Sequence, residues 1–113
     1  MNKTIKIVDK VWGDEFWLVN TELYCFKILS LKQGYRCSYH YHKIKDETFF
    51  IMSGKIKLKV NNKIKILNAG DSIRIFPNTK HSFEGIEESK IIEVSIHHED
   101  NDSYKLNKSG KIK

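Results

Sequence analysis

The sequence predicts an all-β domain, either a closed barrel or a two-sheet sandwich, and three observations point that way. Apolar residues recur with a period of two along most of the chain, helical patterns are nearly absent, and turn signals interrupt the apolar runs at short intervals. A chain of 113 residues supplies one core, so residues 1–113 are read as a single domain. Six Phe, five Tyr and two Trp within 40% hydrophobic residues can fill that core, which excludes a largely disordered chain.

The elements follow in order. Thr4–Val8 alternates apolar and polar residues, as does Glu15–Val19 around Phe16 and Leu18. Glu22–Leu31 is a longer run that ends in the Lys32-Gln33-Gly34 turn. Cys37–His42 and Glu47–Ser53 form the next pair of strands, and Ser53-Gly54 closes the second of them. Lys55–Val60 and Lys63–Leu67 alternate Lys with Ile, Leu and Val and are joined by Asn61-Asn62, side chains that tolerate the positive φ of a two-residue hairpin turn. The turn Asn68-Ala69-Gly70-Asp71 leads into Ser72–Ile75, which Pro77 ends without costing a ladder bond. After Pro77-Asn78-Thr79 come His81–Glu84, the Glu84-Gly85 turn and Lys90–Ile96. His97–Lys113 loses the alternation and is read as a tail or as a strap over the barrel.

Charge and cysteine usage narrow the function classes. Twenty Lys plus Arg against fourteen Asp plus Glu give +6, which raises the question of nucleic acid. Only Arg36 and Arg74 are arginines, however, and Lys55-Ile56-Lys57-Leu58-Lys59-Val60 places its lysines on one solvated strand face. Nucleic acid is therefore not expected as a partner. No apolar stretch approaches the ~20 residues of a membrane-spanning helix, and Met1–Lys6 has no leader-like apolar run, so a cytoplasmic protein without membrane contact is expected. Cys25 and Cys37 are too few for a disulfide scaffold; both are expected reduced, Cys37 beside a pocket.

One segment carries chemistry. Residues i and i+2 of a strand share a face, so His40 and His42 project two imidazoles together. After the turn Lys43–Asp46, Glu47 can return a carboxylate to the same place, a donor set suited to Fe(II), Mn(II), Ni(II) or Zn(II). By the same parity Arg36 and Ser38 share the ligand face, Phe49 and Ile51 share the face of Glu47, and Tyr39 and Tyr41 point away. His97 and His98 are expected at the surface, with His97 at a pocket rim.

With the block Gly70–Phe83 added, the chain resembles the cupin superfamily. The first cupin motif reads Gly, five residues, His, one, His, three or four, Glu, six, Gly, and Gly34, His40, His42, Glu47 and Gly54 meet every interval. The second reads Gly, five, Pro, one, Gly, two, His, three, Asn. Gly70 and His81 keep it, while Phe76, Asn78 and Gly85 stand in the Pro, Gly and Asn slots and Pro77 follows one place late. The resemblance implies a double-stranded β-helix, a jelly-roll barrel of two antiparallel sheets. It further implies His40, His42, Glu47 and His81 as ligands of a divalent transition metal, one of Mn, Zn, Fe, Ni or Co.

The flanks Val11-Trp12-Gly13 and Ile92-Glu93-Val94-Ser95, with the acidic turn Glu99–Asp102, resemble the cupin domain of type II mannose-6-phosphate isomerases. That resemblance implies a sugar or sugar-phosphate isomerase or epimerase in which the metal polarises the substrate carbonyl. Lys45 stands where cupin-type sugar isomerases carry a similar His-x-His…Lys-x-Glu pattern, so Glu47 and Lys45 are the expected catalytic residues, Lys45 with a depressed pKa. Arg36 at the pocket mouth, with Phe49 and Phe83, is expected to bind substrate. A non-catalytic metal- or carbohydrate-binding cupin is the alternative, and an Fe(II) dioxygenase a third. A homodimer formed through an edge strand or a swapped first strand is expected.

Overall fold

The computed structural model describes residues 5–112; Thr4 of the expected first strand and Lys113 at the end of the chain lie outside them. In chain order the strands are β1 (Lys6–Lys10), β2 (Gly13–Asn20), β3 (Cys25–Leu31), β4 (Tyr35–Arg36), β5 (His40–Tyr41), β6 (Glu47–Ser53) and β7 (Lys55–Val60). They continue with β8 (Lys63–Asn68), β9 (Ser72–Ile75), β10 (His81–Gly85), β11 (Ser89–Ser95), β12 (Tyr104–Lys105) and β13 (Gly110–Lys111). A 3-10 turn at Asp100–Asp102 separates β11 from β12.

One antiparallel sheet has the order β1-β2-β3-β11-β6-β9. The other runs β12-β5-β10-β4-β13, with β7 also pairing β10 and β8 pairing β7. The expected two-sheet jelly roll is thus the observed architecture, and its core is the apolar side of the alternation: Leu29, Leu31, Ile51, Ile56, Leu58 and Ile91 are all buried between the sheets. The hairpin at Asn61-Asn62 forms with φ of 45° and 69° at the two asparagines, the primed-turn geometry their side chains permit.

Two elements differ from expectation, and the end of the chain takes one of its two expected forms. The run Glu22–Leu31 becomes a strand only at Cys25, because the Thr21 hydroxyl accepts the amides of Leu23 and Tyr24 and holds them in a turn. Of the strand expected over Cys37–His42 only His40–Tyr41 forms, as β5, while β4 lies just before the expected start. Between them the Ser38 amide donates to Ser109 Oγ at 2.9 Å and the Tyr39 amide to Asn107 Oδ1 at 2.7 Å, so side chains from the end of the chain take the place of ladder bonds. The end of the chain is correspondingly a strap: β12 pairs β5, β13 pairs β4, and the Leu106 amide bonds Tyr39 O at 2.8 Å.

Candidate metal centre and its cavity

The two motifs meet through β10. His81 is the Cα partner of His40, and the turn before it is fixed by the Asn78 amide donating to His42 O at 2.6 Å. Asn78 has φ 65°, a left-handed conformation that Gly adopts most readily and Asn next, which explains why Asn can fill the motif's Gly slot. Glu47 opens β6, and its partners on either side are Ser95 of β11 and Ile75 of β9. Backbone pairing therefore sets His40 beside His81 in one sheet, the Asn78–His42 bond holds His42 next to them, and Glu47 reaches them from the facing sheet.

His40, His42 and His81 each offer a nitrogen within 4.8 Å of the others, a group that can hold a metal ion. Their ring orientation is set from behind. Nδ1 of His40 lies 2.7 Å from Ser38 O, Nδ1 of His42 3.0 Å from Asp102 O, and Nδ1 of His81 2.8 Å from Thr79 O. A carbonyl only accepts, so each Nδ1 carries the proton and donates, which leaves the Nε2 lone pairs free.

Those lone pairs face a carboxylate. Glu47 Oε2 stands 3.1 Å from His81 Nε2 and 3.3 Å from His42 Nε2, while Glu47 Oε2 and His81 Nε2 are buried without a hydrogen-bond partner. Lone pair against lone pair at this distance is repulsive unless something positive sits between them. A divalent cation satisfies all of these atoms at once, so the residues present fit a bound metal. Burial, and after it the neighbouring His81, holds His40 down to about 3, so it is a neutral imidazole as a ligand must be. Burial alone would push Glu47 up, yet the Lys45 ammonium beside it holds it well below the carboxylate range.

From Glu47 a chain of alternating charge runs into the barrel. Lys45 Nζ lies 3.4 Å from Glu47 Oε1 and 2.6 Å from Glu93 Oε2. Lys27 Nζ lies 3.9 Å from Glu93 Oε2, 3.7 Å from Glu15 Oε1, and 4.0 Å from the centre of the Trp17 ring. Lys27 is only 1% exposed. Lys10 Nζ closes the outer end, 4.0 Å from Glu15 Oε2, so three carboxylates (Glu15, Glu93 and Glu47) alternate with three ammoniums (Lys10, Lys27 and Lys45). His98 completes the cluster, with Nδ1 3.0 Å from Lys45 Nζ and Nε2 2.8 Å from Asp100 Oδ1.

A cavity of about 360 Å³ exposes this site to solvent. His40, His42, Lys45 and Glu47 line it together with Phe49 and Phe83, while His81 sits fully buried behind them. Lys6, Lys10 and Lys105 stand at its mouth.

Four readings from the sequence change here. Arg36 is not among the described residues lining the cavity: the break after β4 interrupts the parity that linked it to His40, and Cys37 and Ser38 face inward in its place. Ile51 lies deeper, in the apolar core. The pKa of Lys45 is raised, not depressed; burial pulls it down, but Glu93 and Glu47 outweigh that, so it is a fixed ammonium. Finally, His98 and not His97 faces the cavity, since β11 ends at Ser95 and strand parity no longer applies. Lys27, Glu93 and Asp102 were missed. The first two left a signal, each being a charge at an inward position of an apolar alternation, Cys25-x-Lys27-x-Leu29 and Ile91-x-Glu93.

A two-sheet barrel with convergent imidazoles on its inner wall is a jelly-roll scaffold able to bind a metal. The chain belongs to the cupin domain family, which matches residues 27–97, well over half of its length. No curated protein matches it in sequence. Among solved structures, Streptomyces Pac13 with uridine is similar at 15% identity and a TM-score of 0.81, covering 100% of this chain and 93% of that one; Pac13 is a nucleoside dehydratase. KdgF from Halomonas sp. is similar at 17% identity and a TM-score of 0.73, over 78% and 81% of the two chains. Oxalate decarboxylase from Bacillus subtilis matches at 17% identity and a TM-score of 0.78 over 90% of this chain but 30% of its own. At these identities the likeness is one of fold. Among the described residues no helix is long and apolar enough to cross a membrane.

Proposed function

We propose that this cupin is a metal-dependent isomerase or epimerase of a sugar or sugar phosphate. The observation that carries the reading is the joint placement, around one cavity, of a metal-competent imidazole cluster and a separate buried carboxylate, Glu93, paired with Lys45 and able to take a proton. His40, His42, His81 and Glu47 are the ligands, with Mn, Zn, Fe, Ni or Co as the ion. Bound there, such an ion supplies Lewis-acid polarisation of a substrate carbonyl.

The chain's own groups do the rest. Glu47, spent as a ligand, is not free to act as a base. Glu93 lines the cavity without touching the imidazoles and is the carboxylate left to take the proton from the carbon beside the carbonyl. Lys45, a fixed ammonium between Glu47 and Glu93, orients both and donates to substrate oxygen. Phe49, Phe83 and Trp17 give the sugar ring an apolar wall. Lys6, Lys10 and Lys105 at the mouth take the substrate-binding part expected of Arg36, there toward a phosphate.

The flanks that resemble type II mannose-6-phosphate isomerases support the reading unequally. Trp12-Gly13 has a packing reason, because Trp12 is buried and a side chain at Gly13 would collide with the Ser30 carbonyl. Glu93, in the other flank, lines the cavity as the partner of buried Lys27 and Lys45. The test is NMR in deuterated water of metal-loaded protein with a panel of free and phosphorylated aldoses and ketoses. Label entering beside the carbonyl, and lost in both Glu93→Gln and Glu47→Gln, supports the reading. No label with any sugar and metal overturns it in favour of a non-catalytic binder, and oxygen uptake with iron in favour of a dioxygenase.

A further inference from the structure

His98 faces the cavity, and the chemistry set out above gives it no part. Its place is fixed more tightly than packing demands. The Asn20 carboxamide at the end of β2 clamps its backbone: Oδ1 accepts the His98 amide at 2.9 Å and Nδ2 donates to its carbonyl at 3.1 Å. The ring stands edge-on to Trp17, with centroids 4.9 Å apart and planes at 79°.

The partners of the two ring nitrogens tell them apart. Nδ1 lies 3.0 Å from Lys45 Nζ, and an ammonium only donates, so Nδ1 is bare. Nε2 lies 2.8 Å from Asp100 Oδ1, and a carboxylate only accepts, so Nε2 carries the proton. This tautomer is the reverse of that in His40, His42 and His81. Burial, and after it the ammoniums of Lys45 and Lys27, lower the His98 pKa, in keeping with a neutral ring.

Lys45 has three N–H groups and three acceptors around it: Glu93 Oε2 at 2.6 Å, His98 Nδ1 at 3.0 Å and Glu47 Oε1 at 3.4 Å. The first two are hydrogen bonds of ordinary length and the third is long. An ammonium held by Glu93 alone can turn about that bond. Held by Glu93 and His98 together it cannot, and its remaining N–H points to the Glu47 side, toward the imidazole cluster.

We propose that His98 is a positioning residue: by accepting one N–H of Lys45 it aims another at the oxygen of a substrate held beside the imidazoles. This deepens the isomerase reading and rests on the part that reading gives to Lys45. A neutral acceptor suits the place. Another carboxylate would compete with Glu93 for the ammonium and add charge to a buried site, whereas an imidazole lone pair fixes direction and leaves the charge balance alone.

Two substitutions separate direction from bulk. His98→Asn offers a carboxamide oxygen in place of Nδ1, and His98→Leu fills similar space with no acceptor. In the deuterium-label assay, His98→Leu should lower kcat for label entry about 100-fold with KM unchanged, and His98→Asn should recover most of the rate. Label entry at wild-type kcat in His98→Leu overturns the proposal and leaves the isomerase reading standing. Nitrogen-15 NMR of the zinc-loaded protein reads the same geometry without turnover. His98 Nδ1 should resonate as an unprotonated ring nitrogen, and the Lys45 ammonium should give a resolved signal that His98→Leu loses to exchange with water and His98→Asn keeps. A protonated Nδ1, or an ammonium signal unchanged in His98→Leu, overturns the proposal. If the wild type labels no sugar, the isomerase reading has failed, and the NMR result alone decides whether His98 positions Lys45. Should circular dichroism show His98→Leu unfolded, the wild-type signals decide it: both as described support the proposal, and a protonated Nδ1 or an unresolved ammonium refutes it.

Discussion

Asp102→Ala is the substitution from which most can be learned about how the strap serves the site. Asp102 is buried, and its two carboxylate oxygens accept the amides of Lys43 at 2.9 Å, Ile44 at 3.2 Å and Lys45 at 3.0 Å, while its backbone oxygen accepts Nδ1–H of His42. One side chain from the end of the sequence thus holds the turn that carries both His42 and Lys45. Hydrogen bonds to a charged group contribute about 1.5–3 kcal/mol each, but these three share one acceptor group and the exposed amides regain water, so a total loss of about 3 kcal/mol is expected. For a chain of this length that lowers Tm by roughly 10–15 °C. Ala keeps the backbone oxygen that accepts His42 Nδ1–H, so metal affinity should fall only through the loosened turn, by less than the ~10–100-fold that losing a ligand's outer partner costs. Urea denaturation reads the first quantity, and competition against a chromophoric chelator the second. A variant that unfolds within about 0.5 kcal/mol of the wild type and binds metal equally well would refute the role given to the strap.

Other outcomes follow from the same geometry. Lys27→Met should destabilise by about 1–2 kcal/mol in the same urea titration, because Glu15 and Glu93 lose the ammonium between them while Lys10 and Lys45 remain as their partners. Asn78→Gly should change stability by only a few tenths of a kcal/mol, whereas Asn78→Val should cost about 1–2 kcal/mol and weaken metal binding, since the turn delivers His81. Neither cysteine should react with a thiol reagent at pH 8 until the protein is unfolded. Burial raises the Cys25 thiol and pushes Cys37 up to about 12, so little thiolate exists and none is accessible.

The sequence made the apolar alternation and the ligand spacing plain because both are local properties. Strand faces follow from parity, and the hairpin from two adjacent asparagines, so most of the sheets and the four convergent side chains could be placed by counting. What escaped is non-local. The break after β4 is made by Ser109 and Asn107, 71 and 68 residues away from the amides they accept. Asp102 reaches the turn it holds across 57 to 59 residues. Neither pairing leaves a periodic trace. Lys27 and Glu93 did leave one, but a charge at an inward strand position has meaning only with the opposite charge on the adjacent strand, and β3 and β11 become neighbours through the fold alone.

The central claim is that the imidazoles of His40, His42 and His81, with Glu47, hold a metal ion. The most direct measurement is metal content by inductively coupled plasma mass spectrometry after incubation with Mn, Fe, Co, Ni or Zn and removal of free ion, on wild type and His81→Ala. The account predicts about one ion per wild-type chain. It also predicts loss of most of that ion in His81→Ala with the circular dichroism spectrum kept, since His81 faces the other ligands instead of closing the apolar core. Full occupancy in His81→Ala, or a wild type that retains none of the five ions, would contradict it.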